Sequence, residues 1–480
     1  MSGDGQHKSR LHSKRTESLL FSIGLFLFQV FMVVLYAVWV RYDNYKQHSD
    51  PTEVQDNIDH IYGYFRDVNI MIFFGFGFLM VFLRRYGYSA LGYTFVISAM
   101  VAQWSVLLMG FMEAVYHGGP FPGYFYFDVE TLINGLFCAG AVMISYGAIL
   151  GKVTPLQMLI MGIIEPMFYF LNMYFMLKLN AFDVGGVCWF LTNRKAKASP
   201  ENAPSYTGDL FSMAGTLFLW MMWPSFNAGV APRGDPQLRA ITNTFLSLTG
   251  STISTFIMSR LCGHYGYKLD MVHVQNSTLA GGVVQGVLAA LNIYPASAIA
   301  MGFIVGAISV LGYVFLTPLM TRKLSIQDTC GIHNLHGMPG FIGAIGAVIA
   351  AQHALNHPDL YSPSEFKILF PAGDNQAKNQ AAMTFISVGL GIVGGLFTGA
   401  ILYLMRKIGG LKKTEYFSDH AFWNVATDYP KDFAAADTHS NRDEEGGSSG
   451  VELTGVHSNP VADGNAGPEA PAPSGGGCKT

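Results

Sequence analysis

Ser325–Gly343 reads SIQDTCGIHNLHGMPGFIG. Two histidines, His333 and His336, stand between glycines where a long apolar run begins. Asp328, Asn334 and both imidazoles fall where the surrounding hydropathy places lipid. Polar and ionisable groups at such depth are costly, and they usually face a bundle interior or a water path. The histidines are three residues apart, so a helix turns them to roughly the same side. Metal binding would need further ligands, and no convergent Cys or carboxylate spacing supplies them. A catalytic base would need a nucleophile motif, and none accompanies the pair. A neutral imidazole in a narrow pore offers one donor and one acceptor, which suits a small polar molecule or a proton relay. A core histidine bonded to a backbone carbonyl is the remaining reading.

The rest of the chain supplies the setting. Half of its 480 residues are hydrophobic and 13% are charged. A soluble domain carries about 25% charge. With 36 Phe and 54 Gly, the composition is that of a polytopic membrane protein. A net charge of −3 offers no basic surface for nucleic acid. The five cysteines are scattered, so neither a disulfide framework nor a zinc site is indicated. No cofactor fingerprint or nucleophile elbow is present, and neither a cofactor nor enzymatic chemistry is expected.

Apolar stretches of bilayer length are expected at about 18–40, 67–83, 90–112, 128–150, 156–179, 208–230, 238–261, 269–291, 295–319, 326–351 and 383–405. The first follows a basic segment and is too long for a signal peptide, so it reads as an uncleaved helix with a cytoplasmic N-terminus. Residues 1–17 are then a cytoplasmic lead, 18–405 the transmembrane domain and 406–480 a cytoplasmic tail. From about 437 the tail is rich in Gly, Ser, Pro, Asp and Glu, and it is expected to be disordered.

The positive-inside rule tests the count. Arg84, Arg85 and Lys152 fall inside after the second and fourth spans. The fifth span leaves the chain outside, yet the basic cluster Arg194, Lys195 and Lys197 belongs inside. Only 180–193 separates the two, and that length of helix reaches about 21 Å against a core of about 30 Å. If the segment crosses, Arg260, Lys268, Arg322, Lys323 and the start of the tail all fall inside. Eleven clear spans and a truncated sixth in order, twelve in all, satisfy the charges.

Several further residues stand out. Glu165 lies within an apolar run just before Pro166, where a carboxylate needs water or a polar partner. Asp183 precedes Gly185 and Gly186 at the truncated segment. Asp270 opens DMVHVQNSTLAGG, where an acid in a first helical turn is favoured by the dipole. Phe137 and Phe226 sit among small residues and can project into a lumen or into the core.

At this point the motifs match a family. The chain resembles the Rh glycoproteins, the animal branch of the ammonium transporter (Amt/MEP/Rh) family. VFMVVLYAVWVRYD, FFGFGFLMVFLRRYGYSALGYTF, GAILGKVTPLQMLIM, DLFSMAGTLFLWMMWPSFNA, LDMVHVQNSTLAGG and IQDTCGIHNLHGMPG carry the likeness in order from Val30 to Gly340. The resemblance implies an all-α ammonium-transporter fold of twelve spans, assembled in the plasma-membrane bilayer as a homotrimer with a pore in each protomer. It implies passage of ammonia, with ammonium collected and deprotonated at the outer mouth; some relatives are proposed to conduct carbon dioxide. Phe137 and Phe226 match the family's outer phenylalanines, and His336 matches the second of two hydrogen-bonded pore histidines. His333 matches neither. Glu165, Asp183, Asp209 and Asp270 match vestibule or supporting acids.

One departure coincides with the charge argument. The family's first pore histidine belongs on a helix that follows Asp183–Gly186, but here Gly186 is followed by VCWFLTNRK. Most of that helix, its histidine included, is absent. A loss between Gly186 and Val187, by a skipped exon, a mis-joined gene or a true isoform, explains both observations. Without that helix the chain is expected either to conduct through His336 alone or to be a defective or non-transporting member.

Overall fold

The computed structural model describes residues 3–42, 51–118, 123–181, 199, 201–263, 268–412 and 414–430, with side chains placed except at 3–13, 51–57, 408 and 409. Asp183 and the shortened sixth span lie outside these residues, as does the tail beyond 430.

Helix α1 (Gly3–Trp39) buries a narrow stripe, Phe28 and Met32, and leaves Phe26 and Val33 exposed, as a lipid-facing helix does. A short parallel pair, Val40–Tyr42 with Phe125–Phe127, ties its end to the segment that precedes α4. Helix α2 begins at Pro51–Ile70 and continues through a π turn to Phe82. The expected second span at 67–83 therefore starts too late: the apolar helix spans Ile58–Phe82. Asp59, His60, Arg66 and Asp67 lower its hydropathy without breaking its helical period.

Helix α3 is Gly87–His117 and α4 is Val129–Ile149, the latter capped where Asp128 accepts from Thr131 N at 2.7 Å. Helix α5 (Pro155–Leu179) starts on a capping box between Thr154 and Gln157. Helix α6 is Tyr206–Ala228, capped by Ser205, and α7 is Asp235–Cys262. Two short helices follow, α8 (Met271–Ser277) and α9 (Ala280–Gln285). Helix α10 (Pro295–Leu311) runs on through Leu324. A π turn at His333–Gly337 leads into α11 (Met338–Asn356). Helices α12 (Pro363–Leu369) and α13 (Gln376–Gly409) complete the bundle.

Eight described helices are long and apolar enough to cross a membrane. Three expected spans are not among them. Helix α6 carries Trp, Tyr, Ser and Asn, and α7 carries NTFLSLTGSTIST. The stretch at 269–291 breaks into α8 and α9, because Ser277, Thr278, Gly281 and Gly282 are poor helix formers. The hydroxyls that depress the hydropathy of α7 serve that break. Ser251 donates to Thr278 O at 2.7 Å, Ser247 to Gly281 O at 2.8 Å, and Asn243 to Ala289 O at 3.0 Å. In lipid, backbone carbonyls freed by a broken helix require such partners. Gly302 and Gly306 of α10 lie directly on the backbone of Ser247 and Ser251, so the α7–α10 approach depends on small residues.

Contacts fix the direction of each helix. Lys14 pairs with Glu415 at 2.9 Å, which sets the start of the apolar part of α1 and the segment after α13 at one end. Arg85, Lys152 and Arg406 stand at the same end, the basic end. The close of α5 lies at the opposite end, where Gln376 and Asn379 donate to Asn180 O and Leu179 O, each at 2.7 Å. Residues 201–205 are back at the basic end: Glu201 pairs with Arg85 at 3.4 Å, and Ser205 N donates to Phe82 O at 3.2 Å. The described residues that flank 182–198 therefore stand at opposite ends of the bundle.

The fold also continues past 405. Asp419 accepts from Ser89 N at 2.8 Å and Tyr88 N at 2.9 Å, and so caps the first turn of α3. Phe417 N donates to Gly151 O at 2.9 Å, and Tyr429 OH to Arg85 O at 2.8 Å. This strap seals the basic end and belongs to the folded unit. Burial raises the Asp419 carboxyl above its ordinary value.

Candidate functional site

Three helices bring four rings into one file. Helix α4 places Phe137, α6 places Trp223 and Phe226 one turn apart, and the π turn before α11 places His336. The Phe137 and Phe226 rings meet with centroids 4.5 Å apart, tilted by 54°. Trp223 lies 6.3 Å from Phe226 and stacks on His336 at 6.2 Å, inclined by 26°. The file runs inward from the end opposite the basic one, in the order Phe137, Phe226, Trp223, His336. A methyl group at Gly282 would come within 2.5 Å of the Trp223 indole, so glycine there is what lets the indole lie against α9.

His336 makes no hydrogen bond to another described residue. Its ring contact is with the Trp223 face. His333 belongs to the scaffold instead: its backbone N–H donates to Asp328 Oδ2 at 2.8 Å, and its ring lies against Gly337 of its own turn. Lys152 braces the same loop by donating to Ala148 O at 2.6 Å and to Gln327 O. Burial lowers the Lys152 ammonium to about 8, with Asp328 opposing the shift.

The described acids occupy different places. Glu165 is buried in the middle of α5 beside Ser145 of α4. Asp209 lies in the first turn of α6, where Gln275 Nε2 donates to its Oδ1 at 3.1 Å. Asp270 caps α8 by accepting from Val272 N at 2.8 Å. Asp209 and Asp270 therefore share the basic end, opposite the phenylalanines. Asp183 lies outside the described residues. Sequence reasoning passed over Trp223 and Ser225. The signal for Trp223 was its position three residues before Phe226, which puts both on one helix face.

This architecture has relatives. The Ammonium Transporter Family profile matches residues 25–420. Rhesus-like glycoprotein B of Dictyostelium discoideum is 61% identical over 459 residues, covering 89% of this chain and 76% of that protein. Ammonium transporter Rh type B of Danio rerio is 41% identical over 428 residues, covering 83% and 91%. The chain belongs to the Rh branch of the ammonium transporter family. Among solved structures, the Rh50 channel of Nitrosomonas europaea superimposes with a TM-score of 0.67 at 29% identity, over 81% of this chain and 98% of that one. This Rh protein is accordingly a multi-span membrane protein of the ammonium-transporter fold, and its family consists of transporters and channels rather than enzymes.

Proposed function

We propose that this Rh protein passes ammonia across the plasma membrane along the file Phe137–Phe226–Trp223–His336, one pore per protomer of a homotrimer. The observation that carries the reading is the file itself: an aromatic pair at one mouth, then an indole stacked on an imidazole with no described hydrogen-bond partner. The basic end faces the cytoplasm by the positive-inside rule, which places both termini there. Aromatic faces attract a cation by about 0.5–2 kcal/mol, enough to collect ammonium but not to carry it through. A bare cation in an apolar channel is far costlier, so the proton is left at the mouth and ammonia proceeds. Beyond the rings, an imidazole nitrogen gives ammonia a polar contact, and the proton is regained inside.

A second reading has an observation of its own. His336 stands without an imidazole partner among the described residues, and the sequence lacks most of the helix that carries one in the family. On that reading the 480-residue chain is a non-transporting or defective member. Ammonium-driven pH change in vesicles separates the two when this chain is compared with a form carrying a span restored after Gly186. Flux above empty vesicles in this chain, increased in the restored form, is the expected result. Flux in the restored form alone would establish the second reading.

A further inference from the structure

We infer that Asp67 is the acid that holds the arriving cation at the phenylalanine mouth, a role that deepens the transport reading and rests on it. Asp67 belongs to α2, the helix wedged between the two that carry the aromatic pair. At the junction, a methyl group on Gly229, the residue that ends α6, would lie 3.6 Å from Tyr64 Cβ of α2 and 3.7 Å from Ile133 Cγ2 of α4. Asp67 is three residues beyond Tyr64, so it faces the same seam. Its Oδ2 accepts from Ser225 Oγ at 2.7 Å, and Ser225 directly precedes Phe226. The carboxylate is thereby tied to the residue that precedes Phe226 in sequence, on the helix whose ring pairs with Phe137.

Arg66 guanidinium sits against the other oxygen, Oδ1, at 3.2 Å. The Arg66 side chain is 60% exposed and that of Asp67 18%. The guanidinium is the open member of the pair, and the carboxylate is largely covered. A pair with one partner so open is worth little, and a mobile cation can displace that partner. The pair is therefore a carboxylate with a tethered competitor. Its class of ligand is a small protonated amine, ammonium or methylammonium. Neutral gases gain nothing from it.

The sign of two substitutions tests this. Asp67→Asn keeps an acceptor for Ser225 and removes the charge. It should raise the KM for methylammonium uptake into vesicles about three- to tenfold at low salt, as the loss of a unit charge a few ångströms away predicts, with the maximal rate little changed. Arg66→Gln should lower KM. Both differences should shrink as salt rises. KM values that stay fixed, or that move in the same direction in both variants, overturn the role. Methylammonium binding to the detergent-solubilised full chain, read by saturation-transfer NMR, supplies a measure independent of flux. Binding weakened by Asp67→Asn in a chain that conducts nothing keeps the site and removes the transport reading. Flux present, with both KM and binding indifferent to Asp67→Asn, removes the site and keeps the transport reading.

Discussion

Gly282→Leu should bring ammonium-driven flux down to the level of empty vesicles. The reason is local. Trp223 is 4% exposed and lies directly over the Gly282 Cα, so even a methyl group there meets the indole at 2.5 Å. A leucine needs several times that space, and overpacking of a tight core costs about 1–3 kcal/mol when the neighbours can move. Here the neighbour that moves is the indole between Phe226 and His336, and its displacement closes the file. Gly282→Ala should show a smaller loss of the same kind. A leucine variant that elutes as folded protein on size exclusion and still conducts like the parent would show that the indole does not border the path.

Trp223→Ala should have the largest effect on stability. The indole is buried between Gly282, Phe226 and His336, on three different elements. Removing a buried aromatic costs about 3–5 kcal/mol, because the surrounding helices close the cavity only in part. In lipid the loss falls on dispersion packing rather than on hydrophobic burial, but it remains a loss of contacts. The expected outcome is a drop of several degrees in the temperature at which the detergent-solubilised protein leaves its folded peak. An unchanged melting profile would mean that the aromatic file has little to do with holding α6, α9 and α11 together.

The large features of the fold are legible in the sequence because they rest on hydropathy and charge. The parity argument over Arg84, Lys152 and the 194–197 cluster requires a crossing between α5 and α6, and the contacts of Asn180 and Glu201 put the flanking residues at opposite ends. What hydropathy misreads is any helix that does its work with polar side chains. Helix α2 is polar at Arg66 and Asp67 because Asp67 accepts from Ser225 and pairs with Arg66 there. Helix α7 is rich in Ser and Thr because it must satisfy the carbonyls of the broken α8–α9 pair.

The candidate site divides along the same line. From its residues alone, the His333–His336 pair stays open between pore, core and relay; the family likeness selects His336, and the structure places His336 against Trp223 and His333 against its own turn. Phe137 and Phe226 are 89 positions apart, so their pairing at 4.5 Å is a tertiary event that no local period records. The acids show the opposite limit. Asp209 and Asp270 match vestibule or supporting acids as a set; in the structure one is held by Gln275 and the other caps α8, both at the basic end. Their position depends on which end of a helix they occupy, and this follows from chain direction rather than from residue type.

The most direct test of the ring file as the ammonia path is a paired flux measurement on the parent chain and His336→Ala. Ammonium-driven and carbon-dioxide-driven pH changes are followed in the same vesicles. One hydrogen bond lost along the path is worth about 1–1.5 kcal/mol, so ammonium-driven flux should fall about tenfold. Carbon dioxide offers no proton to the imidazole, and its flux should not change. Equal ammonium-driven flux through both chains would contradict the account.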